Sequence, residues 1–304
     1  MRILTTVIGS YPVCGNEGPD AIRAAVDVQL SAGIDLISDG QVRHDMIKYF
    51  TSHIPGFEIK GNESVIVGKI HPSDDKSIAV DDLMRVKKYV KGRAKVKGII
   101  TGPMTLISSC KITKDSPYDN IFDRRLYEDA AEALAVEAKQ LTKAGADSIQ
   151  VDEPFYSVGV PMDLAKECVE LIVNSLRVPV SLHACGDIGK VFDRLLDFDG
   201  VDVLSHEFAA SPRNLEAVTR QKLEEHDKKL GVGCVKTNTE QIETQKEVLT
   251  LLKKAAELVG FENMWIHPDC GLRLLNCDVA ELKLKTMMNA TRQFIEESDI
   301  ESEI

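Results

Sequence analysis

Residues 144–154 read Ala144-Gly145-Ala146-Asp147-Ser148-Ile149-Gln150-Val151-Asp152-Glu153-Pro154. In the residues just before, Ala131, Leu134, Ala138 and Leu141 recur at steps of three, four and three, which puts one apolar face on a helix. The glycine then stops the helix, and an apolar run follows that ends in two acids. The same turn from helix to strand occurs at Ala32-Gly33-Ile34-Asp35-Leu36-Ile37. Repetition of that kind marks a chain built from strand–helix units. Outward from these two copies, apolar runs end near Ser10, Asp39, Gly102, Val151, Leu182, Ser205, Gly233 and Ile266. Pro19 opens a helix that closes at Gly33, and Ser211-Pro212 reads as an N-cap followed by a first-turn proline. Eight units in 304 residues predict a single α/β domain spanning 1–304, a closed (β/α)8 TIM barrel. An open doubly wound sheet is the alternative. No Gly-x-Gly-x-x-Gly follows the first strand and no phosphate-binding Gly-x-x-x-x-Gly-Lys-Ser/Thr occurs, so nucleotide-binding sheets lose support.

The longest break in the alternation is Thr51–Lys95, with a strand-like Val65-Ile66-Val67 and the charged run Asp74-Asp75-Lys76. It reads as an insertion after strand two, a hairpin and a helix lying over the barrel mouth. The acid-rich tail Glu296–Ile304 is expected to fray. Lys and Arg total 37 against 48 Asp and Glu, a net charge of -11, and a field of that sign repels phosphate backbones and anionic lipid. No nucleic-acid or membrane partner is expected. No apolar run approaches the roughly 20 residues of a membrane span, and the N-terminus reads as a first strand rather than a signal. The seven cysteines (14, 110, 168, 185, 234, 270, 277) are scattered with no Cys-x-x-Cys pair, which predicts free thiols and a cytoplasmic location.

In a barrel of this kind the loops that leave the strand C-termini build the active face. Polar residues gather there: Ser10, Asp39, Asp152-Glu153, His183 and Cys185, Glu207, and Asp269-Cys270 each follow an apolar run. His183 and Cys185 are two apart, so one strand end can aim both at one ion. With Glu207 and Cys270 from neighbouring staves they make a plausible zinc (Zn2+) shell of imidazole, two thiolates and one carboxylate. The bland reading of each alone is a buried small hydrophobe or a core histidine. Four ligating side chains at three strand ends on one face favour the metal. A shell with two thiolates and a displaceable carboxylate suits activation of a guest thiol for alkyl transfer. A structural zinc site would instead take four Cys, or two Cys and two His, from closely spaced knuckles.

The chain resembles the C-terminal catalytic half of cobalamin-independent methionine synthase. The resemblance rests on Thr5-Thr6-Val7-Ile8-Gly9-Ser10-Tyr11-Pro12, Asp45-Met46-Ile47-Lys48-Tyr49-Phe50, Gly102-Pro103-Met104-Thr105, Gln150-Val151-Asp152-Glu153-Pro154, His183-Ala184-Cys185, Glu207 and Pro268-Asp269-Cys270-Gly271-Leu272. These stretches cover nearly the whole chain in the family's order. The resemblance implies zinc on His183, Cys185, Glu207 and Cys270, and no catalytic side chain beyond zinc activation of the substrate thiol. It implies homocysteine as substrate, its carboxylate on Ile8, Gly9 and Ser10 and its amino group on Asp152. For Gly9-Ser10 the plain structural reading is a tight strand exit, and for Asp152 a helix N-cap.

Departures from the family bear on the methyl donor. No counterpart of the N-terminal barrel of the long members is present, so the sequence reads as a stand-alone core of the short archaeal type. Ser108-Ser109 stand where folate-using members place Asn-Trp, and the one tryptophan, Trp265, lies inside strand eight. Cys234-Val235-Lys236 replaces a stretch that carries an acid histidine, and Gln41, with Asp39 as the other candidate, replaces the glutamate that in the family contacts the substrate amino group at the strand-two exit. A folate nitrogen needs a proton to leave and cob(I)alamin does not, so the expected donor is methylcobalamin or a methylated corrinoid protein. The competing readings are a zinc enzyme that methylates coenzyme M from a corrinoid, a folate-dependent methionine synthase, and a metal- or corrinoid-docking module without turnover.

Overall fold

Short β-branched runs of the sequence become the staves of a barrel in a computed structural model, which describes residues 3–74 and 78–301. The strands are β1 (Leu4–Thr5), β2 (Leu36–Ile37), β3 (Phe57–Lys60), β4 (Glu63–Ile66), β5 (Lys95–Thr101), β6 (Lys111–Ile112), β7 (Ser148–Asp152), β8 (Val180–His183), β9 (Val203–Glu207), β10 (Lys229–Gly233) and β11 (Met264–His267). The helices are α1 (Gly18–Ala32), α2 (Lys48–Thr51), α3 (Ile78–Val90), α4 (Pro103–Ser108), α5 (Arg124–Lys143), α6 (Met162–Val173), α7 (Phe192–Leu196), α8 (Arg220–Glu225), α9 (Gln245–Val259) and α10 (Cys277–Glu301). Eight strands pair in parallel in the order β2-β5-β7-β8-β9-β10-β11-β1. A parallel bridge between Thr6 and Leu36 joins the two ends. The expected barrel is what forms, and the open sheet is excluded.

Alternation along the strands sorts the side chains into two environments. Ile149, Val151, Leu182, Leu204, Val232 and Ile266 belong to the large core shared with the helices. Leu4, Leu36, Val203 and Trp265 form a separate apolar plug. Each of the latter lies near the start of its strand, so Trp265 fills the barrel floor, far from the mouth. Nearer the mouth the buried residues turn polar: Lys97, Gln150, Ser205 and His267, then Asp152 and His183.

The repeat seen in the sequence has a structural cause. Gly33 ends α1 at φ 89° and Gly145 follows α5 at φ 94°, a left-handed turn that costs glycine least. Two residues later Asp35 accepts from the Thr5 N–H (3.1 Å) and Asp147 from the Val96 N–H (2.8 Å). Each aspartate therefore ties the base of its own strand to the base of the one beside it. A third copy, unnoticed in the sequence, is Gly200-Val201-Asp202: Gly200 has φ 75° and Asp202 accepts from the Val180 N–H (2.7 Å).

Four expectations need correction. The 51–95 segment does form a hairpin, β3 with β4, to which β6 adds a third strand. Its helix α3, however, packs on β5 between α1 and α5, the ordinary place of a unit's helix in the outer ring. Asp75 and Lys76 lie outside the described residues. The tail is helical through Glu301, because α10 continues to that point, and residues 302–304 lie outside the description. Ser211 precedes a 3-10 helix (Pro212–Ala217) without capping it; its hydroxyl donates to Glu207 instead. Finally, Cys14 and Cys277 are joined in a disulfide, while Cys110, Cys168, Cys185, Cys234 and Cys270 are free. Among the described residues no helix is long and apolar enough to cross a membrane.

Candidate active site

The staves end around one rim, with His183 at the end of β8 paired to Ser205, two residues before the end of β9. Asp152 on β7 is in register with His183 on β8, and Glu207 on β9 with Gly233 on β10. Side chains from separate units therefore reach a common point at the mouth. His183 Nε2 lies 2.9 Å from Cys185 Sγ, and Cys185 Sγ lies 3.0 Å from Cys270 Sγ. Their donor atoms all fall within 4.8 Å of one another, a group able to hold a metal ion. The imidazole is held from behind: Nδ1–H donates to the Ser205 carbonyl at 3.1 Å, which turns Nε2 toward the sulfurs.

Cys270 is held well below the usual thiol range because it accepts from Cys185 and from the His183 side, and Cys185 is pushed well above it by donating to Cys270 and by burial. Burial alone would lower His183, but the hydrogen bond and charge of Cys270 raise it. Two cysteine sulfurs and an oriented imidazole are the donor chemistry of a zinc site. Glu207 lies at the same rim and its charge raises Cys185, yet its carboxylate accepts from Ser211 and is outside the group of three.

The strand-one exit lies beside this cluster. A Cβ on Gly9 would stand 2.6 Å from Ile99 Cδ1 and 3.0 Å from Gln41 Oε1, so glycine is required there by close packing. A Cβ on Gly271 would meet Ser10 Oγ, and the Leu272 N–H donates to the Ser10 carbonyl (2.7 Å), so Ile8-Gly9-Ser10 abuts the loop that carries Cys270. Gln41 has its amide against Gly9; it is buried at φ 45° and its Nε2 has no partner. Asp39 instead accepts from the Gln41 N–H (2.9 Å), and desolvation raises it to about 6.

Asp152 is buried, with its Oδ1 accepting from Gln150 Nε2 (2.7 Å), and desolvation raises it to about 6 against the pull of His183, Gln150 and Lys97. It caps no helix. That task falls to Glu153, which accepts from the Met104 N–H (3.0 Å) and the Thr105 N–H (2.8 Å) at the start of α4. Sequence reasoning missed Lys97, a buried lysine at an inward position of β5. The signal was there in Lys95-Val96-Lys97-Gly98-Ile99, where alternation sends residue 97 inward.

The model of the catalytic domain of cobalamin-independent synthase matches residues 15–293. The chain belongs to that family. A protein described as methionine synthase from Methanothermobacter marburgensis is 41% identical over 96% of this chain and 100% of its own length. Its counterpart from Methanothermobacter thermautotrophicus is 42% identical over 95% of this chain and 99% of its own. Among solved structures, a B12-independent methionine synthase from a Shewanella species, in complex with selenomethionine, superposes with a TM-score of 0.82 at 25% identity, covering 98% of this chain and 99% of that one. The chain is thus a methyltransferase of the methionine synthase type. Membership sets aside the docking module without turnover. The family is cobalamin-independent by description, so the methylcobalamin or corrinoid donor expected from the sequence finds no support in these likenesses.

Proposed function

We propose that the chain makes L-methionine by methyl transfer to the thiol of homocysteine, with zinc on His183, Cys185, Cys270 and Glu207. The observation that carries this reading is the convergence of one imidazole and two sulfurs from β8 and the loop after β11. Zinc, when bound, supplies the charge that keeps a guest thiol ionised near neutral pH. The chain's own residues do the rest. His183 presents Nε2 because Ser205 fixes its tautomer. Glu207 completes the shell by a rotation that gives up Ser211. Ile8, Gly9 and Ser10 take the amino-acid carboxylate, joined by the unpartnered Gln41 Nε2, which can only donate. Asp152 accepts from the ammonium group with the carboxylate oxygen that Gln150 leaves free.

These amino-acid contacts favour homocysteine over coenzyme M, which carries no ammonium group for Asp152. For the donor, the side chains and the family description pull in opposite directions. Ser108 and Ser109 are exposed and carry no ring, Trp265 is in the barrel floor, and Lys236 is exposed in place of an acid histidine. This local chemistry favours a methylated corrinoid over a folate.

Metal analysis with turnover tests the proposal. Cys185→Ser should lose most of its zinc and at least about a hundredfold of its methyl transfer to homocysteine. Full zinc content with full activity would refute the ligand set. Methylcobalamin and methyltetrahydrofolate offered side by side decide the donor, and preference for the folate overturns the corrinoid reading.

A further inference from the structure

Three successive carbonyls at the strand-one exit are held by side chains rather than by a neighbouring strand. Val7 O accepts from Lys97 Nζ, Ile8 O from Gln150 Nε2 (2.6 Å), and Gly9 O from Ser38 Oγ (2.8 Å). Each trans peptide points its N–H opposite to its carbonyl, so these three bonds set the directions of the N–H groups of Ile8, Gly9 and Ser10. Those are the donors assigned above to the amino-acid carboxylate.

Lys97 is the origin of the arrangement. It is 3% exposed, and its ammonium reaches across the barrel from β5 to Val7 O and Gln150 Oε1 (2.5 Å). Desolvation pulls Lys97 down to about 7 against the charge of Asp152, and with Val7 O and the Gln150 amide oxygen as its partners it serves as a donor to both, so the Gln150 amide turns its oxygen to Lys97. Both amide hydrogens are then left for Ile8 O and for Asp152 Oδ1 at 2.7 Å. Without the cation the Gln150 amide has no reason to prefer this orientation over its flip, in which an oxygen would face the oxygens of Ile8 and Asp152. We propose that Lys97 is a positioning residue for the amino-acid end of the substrate, acting through the Gln150 amide on both the Ile8–Ser10 turn and the Asp152 carboxylate. Lys97 touches no reacting atom. Its work is to orient two groups that bind the substrate's carboxylate and ammonium.

This inference rests on homocysteine being the substrate, so wild-type turnover of homocysteine is measured first; its absence overturns the proposed function rather than the role of Lys97. Lys97→Met keeps most of the length of the side chain and removes every donor. Gln150→Glu keeps an acceptor for Lys97 and removes both donors to Ile8 and Asp152. Each should raise KM for homocysteine about tenfold or more while kcat at saturation stays within about threefold, because binding common to ground and transition states is lost. Zinc content should match wild type. The double variant should be little worse than either single one, since both act along one chain of bonds. A merely structural role would lower Tm and zinc content and leave KM where it was. An unchanged KM in a folded, zinc-loaded Lys97→Met protein overturns the proposal, and if that variant fails to fold, an unchanged KM in Gln150→Glu does the same.

Discussion

Gly231 shows how a residue without a side chain governs the site. It lies on β10 between Ser205 of β9 and Trp265 of β11. A Cβ there would stand 2.7 Å from His267 Nε2 and 3.0 Å from the Ser205 Cα. The space it leaves lets the His267 ring sit inside the barrel and meet Ser205 Oγ at 2.7 Å. Ser205 in turn supplies the carbonyl that orients His183. Gly231→Ala should therefore cost about 1–3 kcal/mol through overpacking, read as a lower Tm. It should also weaken zinc retention by about tenfold through the disturbed support of His183, read by competition with a chelator. Wild-type zinc retention would show that the support does not pass through this contact. Adjacent acids make the same point about what a sequence can show. Asp152 and Glu153 are chemically alike, and strand alternation alone sends one to the site and the other to cap α4. The inward position of residue 152 was legible from the apolar run before it. The flipped assignment of the cap was not, because Met104, whose N–H is capped, lies 49 residues earlier in the chain than Glu153.

At the level of elements, the Gly-x-Asp turn explains why the strands were easy to find. A left-handed glycine, an apolar residue and an aspartate recur at 33–35, 145–147 and 200–202, and each aspartate accepts the first free N–H of the preceding stave. The preference is local, so it is written in local sequence. What was not legible is how far a helix belongs to its unit: α3 looks detached because a hairpin comes before it, and only its packing on β5 shows it to be a member of the ring. The meeting of His183, Cys185 and Cys270 was legible for a similar reason as the strands, since His183 and Cys185 share one strand end, while Cys270 follows another. The rotamer of Glu207 was not, because it depends on Ser211 four residues later in a 3-10 turn. Asp202→Ala leaves the Val180 N–H without that acceptor at the base of β8. It should cost about 1–3 kcal/mol in denaturant unfolding. KM and zinc content should stay unchanged, because the change is at the end of the stave remote from His183. A loss of zinc in this variant would mean that the two ends of β8 are coupled.

Taken as one molecule, the barrel is thinly stitched on both sides of β1. β1 pairs with β11 at only two positions, and a single bridge joins Thr6 to Leu36 on the other side. Cys14, in the segment leaving β1, is bonded to Cys277, the first residue of α10, across a sequence separation of 263. α10 packs on α1 and α9, so the bond fastens the first unit to the last beside that seam. The sequence argued for seven free thiols from their scatter and the lack of a Cys-x-x-Cys pair. That reasoning fails here because the two partners are brought together only by closure of the ring, which no local pattern records. A cross-link over so long a loop removes much of the freedom of the unfolded chain, worth roughly 5 kcal/mol at most in the entropy account. Treatment with a dithiol reductant should therefore lower the midpoint of guanidinium unfolding of the wild-type protein. Cys14→Ser should start near that lower midpoint and show no response to reductant. The active-site thiols are held in common by both proteins, so their reduction cannot produce the difference. Equal midpoints for wild type and variant without reductant would show that the 14–277 bond does not hold the seam in solution.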